Sequence, residues 1–476
     1  MTVQKKTLMI IGGVVTLVTI AVITALLLFD INSYKSEIET AASGTTGLEV
    51  RINGKMRLAL FPFSLAAKDI HIAGKKGEIL SIERFKLRAD LPPLLRKQLK
   101  ITSCELVKPV VSIVKDAEGN YNFESPGKKS SNTAPGPVFA LNSLKLSNGA
   151  IVYCDETTGN KTELKGINCA IKDFSASDGP GGVIKNVAFT GSFGCKEFLQ
   201  KDLRLENFNA LIKADKGMFS LKPFTVDVFG GKGEGEIAMD WSAYDPSYTL
   251  KVKIAKLDFE KIEELFRTKK VIGGKCDLSA SLTMKEKNGR FPVSNLNGAF
   301  GLRGDNLVMY IMDLDKVLAS YETSQKFHLV DLAGFFIAGP LSAVALKGYR
   351  YGDIYYQAHE GQGAITQFIS HWKIRDGEAE ATDCALATFH NRAALKGKLN
   401  LVSERFDDVT VALLDEKGCP TFKQTISGPF GSPRAGNVSA VESLAGPIFN
   451  LYKKAKRFVQ AGKCEVFYNG AVQQPR

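Results

Sequence analysis

The stretch LEVRINGKMRLAL, residues 48–60, alternates apolar and polar side chains on both sides of one Asn-Gly pair. Leu48, Val50 and Ile52 share one face of an extended chain, and Met56, Leu58 and Leu60 do so after Asn53-Gly54. Asn-Gly accepts the backbone angles of a tight turn, so the spacing predicts a β-hairpin. The same period of two recurs at Phe85, Leu87 and Ala89, at Phe208, Ala210 and Ile212, at Leu250, Val252 and Ile254, and at Leu278, Ala280 and Leu282. The body is therefore predicted to be mainly β with a few helices. Helical spacing is confined to residues 259–268, where Ile262, Leu265 and Phe266 share a face, to 313–321 and to 443–459.

One segment obeys a different rule. Leu8–Phe29 holds 22 residues without a charge, which as a helix rises about 33 Å, one hydrocarbon thickness. It is apolar all round, unlike a surface helix, and longer than the apolar region of a cleavable signal. Lys5 and Lys6 precede it, whereas Asp30, Glu37 and Glu39 follow with only Lys35 between. The positive-inside rule then keeps residues 1–7 cytoplasmic, makes 8–29 a transmembrane helix, and exports everything after Asp30. The apolar run at 332–346 carries Pro340 and is too short to span comfortably, so a buried helix is expected there.

The chain has 476 residues, 44% of them apolar, enough for two or three domains with a substantial core. Its net charge of +12 is dispersed rather than gathered on a basic helix. Solvated faces and attraction to anionic lipid head groups account for that pattern; nucleic acid is not an expected partner. Eight cysteines show no C-x-x-C pair and no His at ligand spacing, so no metal is expected. The candidate disulfides are Cys169 with Cys195 and Cys419 with Cys464, with buried free thiols the standing alternative.

Catalytic signals are equally sparse. His71, His328, His359, His371 and His390 fall in no H-E-x-x-H motif, and no G-x-S-x-G turn is present. The run GGKGEG at 230–235 lacks the Lys-Ser/Thr ending of a phosphate loop and reads as a turn between strands. A protein without enzymatic activity or cofactor is expected. The segment SPGKKSSNTAPGP, 125–137, reads as an exposed linker. It separates a β domain over 30–124 from a central β-sheet domain over 138–300, followed by an α+β region over 301–476.

Several stretches resemble the AsmA family of envelope proteins. TGLEVRINGKMRLALFPFSLAAKDIHIAG, at 46–74, is similar to that family's first hairpin, with Gly47, Gly54, Pro62 and Phe63 carrying the match. Residues 79–123, with a Leu-Pro-Pro-Leu-Leu turn, Lys108-Pro109 and a Gly-Asn-Tyr-Asn-Phe close, resemble its second. Phe219–Asp240, Gly301–Leu318 and Ile426–Pro433 look like recurring elements of the same family. The resemblance implies a single-pass protein of the bacterial inner membrane, related to TamB-like and bridge-like lipid transfer proteins. Its periplasmic body would be a curled antiparallel β-sheet with an apolar groove. The implied role is in outer-membrane and envelope homeostasis through phospholipid or related lipid, with membrane lipids and outer-membrane or envelope proteins as partners. Non-enzymatic assistance to outer-membrane protein assembly is the alternative.

The candidate groove lining comprises Leu48, Val50, Ile52, Phe85 and Leu87 in the first domain. In the second it comprises Phe139, Leu141, Phe189, Phe193, Phe208, Ile212, Phe224, Val226, Val228, Leu250, Val252 and Ile254. Alternation alone serves a closed sandwich core equally well.

Overall fold

The computed structural model describes residues 30–74, 77–95, 100–123, 139–177, 182–266, 270, 272–310, 313–316, 336, 361–436, 439–440 and 465–475. The expected transmembrane helix 8–29, the segment 125–137 and the helix expected over 443–459 lie outside the described residues. Among those described, no helix is long and apolar enough to cross a membrane. The chain divides into two compact units, Met1–Ala176 and Ser177–Arg476.

The first unit is one sheet of β1 (Glu49–Ile52), β2 (Met56–Leu60), β3 (Phe63–Gly74), β4 (Gly77–Ala89), β5 (Ile101–Lys115), β6 (Phe139–Asp155) and β7 (Asn160–Ala176). The expected hairpin at Asn53-Gly54 is absent. β1 and β2 both run antiparallel to β3, with Ile52 opposite Ile70 and Met56 opposite Ala67. One extra residue on the first strand makes Asn53-Gly54 a bulge in a single bent edge strand. Gly54 is required by close approach: a Cβ there would lie 2.5 Å from the Lys68 carbonyl oxygen. The actual turn is Phe61-Pro62, joined by a cis peptide. β5 and β6 pair in parallel, so the residues before and after 125–137 share this sheet, and the division between units falls after Ala176.

A helix seals the first edge. The 3-10 turn Ile31–Tyr34 leads into α1 (Lys35–Thr46), which ends at Gly47 in the left-handed region, φ 72°. The backbone amides of the edge strand find side-chain acceptors instead of a neighbouring strand. Val50 N–H donates to Ser43 Oγ at 2.9 Å, Ile52 N–H to Glu39 Oε1 at 2.6 Å, and Met56 N–H to Asn32 Oδ1 at 2.7 Å. Ile31 and Ile38 pack over Ile52, Met56, Ala67, Ile70 and Ile82. A second, short helix, α2 (Leu91–Leu95), follows β4.

The second unit is antiparallel. Its strands are β8 (Val187–Gln200), β9 (Leu203–Asp215), β10 (Met218–Val228), β11 (Gly231–Asp240), β12 (Ser247–Asp258), β13 (Ile272–Gly273), β14 (Lys275–Lys285), β15 (Asn297–Met309), β16 (Gly363–Arg375), β17 (Glu378–Ala387), β18 (Arg392–Asn400), β19 (Arg405–Leu414), β20 (Pro420–Pro429), β21 (Arg434–Ala435) and β22 (Ser439–Ala440). Each of β8 to β12 pairs with the next, β12 pairs with β14, and the ladder continues strand by strand to β20. GGKGEG is a turn only at Phe229-Gly230; Gly231–Gly235 belong to β11. The helix expected over 259–268 is present as Phe259–Phe266, called α3, and the one expected over 313–321 is described at 314–316. Of the apolar run 332–346 only Phe336 is described, and it is fully buried.

Both sheets repeatedly break the period of two. Ala67 to Ile70, Leu106 to Pro109, Leu146 to Gly149, Leu205 to Phe208, Ile254 to Leu257 and Phe406 to Val409 are spaced by three. The residue before the second member has positive φ in every case: Asp69, Lys108, Asn148, Asn207, Lys256 and Asp408. At Asn148, Asn207, Lys256 and Asp408 a register shift against a neighbouring strand marks a bulge that absorbs one residue and keeps the apolar positions on the same face. At Asp69 and Lys108, by contrast, β4 matches the spacing of three, with Ile82 and Phe85, and the register is kept. Neighbouring strands help satisfy the polar groups at these bulges, as when Lys256 N–H donates to Asp277 Oδ1 at 2.9 Å and Asn207 Nδ2 to Asp227 Oδ2 at 2.8 Å.

The expected Cys169–Cys195 disulfide is not formed; neither cysteine is disulfide-bonded. Cys169 lies opposite Leu146 on β7, and Cys195 opposite Phe208 on β8, where its Sγ donates to the Glu197 carbonyl at 3.3 Å. Cys419 is disulfide-bonded, and Cys464 lies outside the described residues.

Candidate functional site

Cross-strand register puts the apolar residues of the second unit on one face. One row runs Phe193, Ala210, Phe224, Gly235, Val252, Ala280, Phe300 and Trp372, each directly opposite the next. Beside it run Val226, Gly233, Ile254, Leu278 and Leu302, and on its other side Ile212, Leu221, Ile237, Leu250 and Leu282. Directly opposed residues in an antiparallel pair project to the same side. The ten lining residues expected on β8 to β12 therefore belong to a single surface. Phe208 joins it by ring contacts, 6.0 Å to Phe193 and 5.8 Å to Phe224 between centroids.

Coverage changes along this surface. From β15 to β20 it is a closed core: Leu302, Phe368 and Val411 are 0% exposed, in one cluster with Phe259 and Ile262 of α3, Leu314 and Phe336. From β8 to β14 the same face is half-buried at Phe189, Phe193, Phe208, Ile212, Val226, Leu250, Val252, Ile254, Leu278 and Leu282, while Ala210, Ala214, Phe224, Val228, Leu257 and Cys276 are buried. Leu257 and Cys276 belong to the closed core, and Ile254, Leu278 and Leu282 pack against it. A sandwich core would bring nearly all of these to full burial. Six strands at about 4.8 Å span about 24 Å across their ladder, against about 15 Å for the acyl region of one leaflet, half a hydrocarbon core. The face has room for an acyl chain laid across the strands.

Glycine shapes its centre. Gly233 and Gly235 of β11 stand where flanking side chains close in: a Cβ on Gly233 would lie 2.8 Å from Val226 Cγ1, and one on Gly235 2.8 Å from the Phe224 ring. The flanking residues thus complete the apolar surface over the part of β11 that presents only Gly231, Gly233 and Gly235 to this face.

The opposite face of the same strands is polar and hollowed. A cavity of about 970 Å³ has Asn209, Thr225, Glu234, Lys253, Ser279 and His371 along one row of its lining, and Val226, Gly233, Ile254 and Leu278 of the neighbouring apolar row line it as well. Nearby, the amide of Asn207 and then the ammonium of Lys232 hold the Asp227 carboxyl below its ordinary range. The sheet is amphipathic across its thickness, one side wet and the other fit for hydrocarbon. Among the described residues no cluster of His, Cys, Asp and Glu has the makeup of a metal site.

The first-unit candidates separate. Val50 and Ile52 are buried on the edge strand that α1 seals, and Leu48 precedes that strand, half-buried. Phe85 and Leu87 are half-buried in rows with Leu106 and Leu146, and with Cys104 and Leu144. Leu141 is 4% exposed, and only the backbone of Phe139 is described. Sequence reasoning missed Leu221, Ile237 and Phe300 on the second unit's face. Leu221 was hidden by the register shift between it and Phe224, where Lys222-Pro223 interrupts the alternation.

The second unit is thus an unclosed antiparallel sheet with one half-buried apolar face. Residues 1–193 match the model of the AsmA family, less than half of the chain. The resemblance read at 46–74 and 79–123 is thereby borne out; Phe219–Asp240, Gly301–Leu318 and Ile426–Pro433 lie beyond the matched residues. Neither curated proteins nor solved structures yield a match.

Proposed function

We propose that this protein is held at the bacterial inner membrane by Leu8–Phe29 and handles phospholipid or related lipid on its apolar β-face in the periplasm, contributing to envelope homeostasis without chemistry of its own. The observation that carries this reading is the half-open face of β8 to β14 beside the closed core of β15 to β20. Taking an acyl chain of 16 carbons into water costs roughly 12 kcal/mol, at about 0.8 kcal/mol per CH2. A continuous apolar surface offsets most of that, while the head group stays wet beyond the apolar rows.

Native mass spectrometry and lipid extraction of the protein purified without added lipid test the proposal. Bound phospholipid is the expected result. A lipid-free protein whose photocrosslinks from Val252 capture only protein would overturn it in favour of assistance to outer-membrane protein assembly.

A further inference from the structure

We infer that the Phe61-Pro62 turn and the short helix after β4 form a second membrane contact, a tip that enters the lipid head-group region beside the anchor. This rests on the anchored reading above, and it adds a surface that the groove does not require.

The direction of the first unit carries the argument. From Asn32 to Ser43 the chain runs one way, and the strand it covers runs the other: Ser43 meets Val50, Glu39 meets Ile52, and Asn32 meets Met56. Continuing β2 past Met56 therefore leads back toward residue 30 and the end of the apolar run. Phe61 lies five residues beyond Met56, about 17 Å farther along an extended strand. Asp30 is only two residues before Asn32. The turn thus reaches past the level of Asp30, the described residue that follows the apolar run in sequence.

What stands at that end is apolar and exposed. Phe61 is 87% exposed, beside exposed Pro62. Ser64 is opposite Arg88, and Ala89 opposite Ile101, which brings the end of β4 and the start of β5 to the same edge of the sheet. The helix α2, LPPLL, follows there, with Pro92 exposed and Leu91 and Pro93 half-buried. Exposed Arg57 and Arg88 flank these residues, with Lys100 beside them paired to Asp90 at 3.2 Å. An aromatic side chain left in water at a turn gains by entering the head-group region, and cations beside it gain from anionic lipid. Interfacial apolar groups sit about 5–10 Å deep. The opposite end of the same strands is polar: Glu78 and Asp69 bracket His71 near the β3–β4 turn.

The test uses the full chain in nanodiscs of phosphatidylethanolamine and phosphatidylglycerol, with a photocrosslinking residue placed in turn at Ile20, Phe61, Glu78 and Val252. The expected result is lipid adducts at Ile20 and Phe61, with the yield at Phe61 several-fold above that at Glu78. Equal yields at Phe61 and Glu78, or adducts at Ile20 but none at Phe61, overturn the tip. No adduct at Ile20 overturns the anchored reading and the tip with it. Adducts at Phe61 without any at Val252 keep the tip and count against the groove. Phe61→Ser, at a position too exposed to disturb folding, should lower the lipid adduct yield from a crosslinker at Pro92 several-fold; an unchanged yield would show that the aromatic ring does not seat the tip.

Discussion

Replacing Val252 with Asp separates an open lipid surface from a closed core. Val252 lies mid-strand on β12 between Gly235 and Ala280, so the carboxylate meets small neighbours and retains a path to water. The loss of partly buried apolar area costs about 1 kcal/mol, a fraction of the value for a fully buried valine. The folded protein should survive. Under an acyl chain the same carboxylate loses its water, at a cost of several kcal/mol. Each 1.4 kcal/mol is about tenfold in occupancy, so bound lipid should fall by about a hundredfold or more. Leu302→Asp is the counterpart, on the same face but 0% exposed; an unpaired buried charge there should cost about 3–5 kcal/mol. Circular dichroism melts and lipid extraction read both variants. If Val252→Asp unfolds as readily as Leu302→Asp, the face is a closed core. If it stays folded and retains its lipid, the acyl chain lies elsewhere.

Ser43→Ala should cost about 1 kcal/mol, the net worth of one hydrogen bond, and should speed hydrogen exchange at the Val50 amide ahead of its neighbours. Gly54→Ala places a Cβ 2.5 Å from the Lys68 carbonyl oxygen and should destabilise the edge by more than about 1 kcal/mol, visible as earlier proteolysis of the first unit. His71 is held above its ordinary 6.5 by Glu78 first and Asp69 second. Folding favours its protonated form, so that contribution is complete below pH 6.5 and fades as pH rises through the higher folded value; an NMR titration should show the raised midpoint, and Glu78→Gln should lower it. Burial pushes the Cys276 and Cys384 thiols up to about 12, so alkylation at about pH 8 should spare both until the protein is denatured.

The β character and the shared face of Phe193, Phe224 and Val252 were legible because alternation reports side-chain direction directly. Two features were not. Asn53-Gly54 carries the residues of a turn, yet close approach to Lys68 demands glycine just as a hairpin does, and only pairing with β3 tells the two apart. Leu221 was lost because a bulge shifts the parity at Lys222-Pro223. The spacing of three, with Asn, Asp or Lys in the left-handed region before the next inward residue, is itself a readable signature that strict alternation passes over. Whether Val252 faces a core or an opening was beyond pattern alone, since both need the same apolar row; burial distinguishes them. The Cys169–Cys195 pairing failed for a related reason, because spacing does not reveal that each thiol is matched to Leu146 or Phe208 in its own ladder.

The sealing of β1 and β2 by Asn32, Glu39 and Ser43 gives the sheet a fixed beginning. A strand from another molecule that approaches this margin finds the amides of Val50, Ile52 and Met56 already answered by side chains, so templated stacking cannot start along that stretch. Lengthening of such an architecture, through added hairpins or recruited chains, must then proceed downstream. The sealed margin serves as the origin from which its reach is counted.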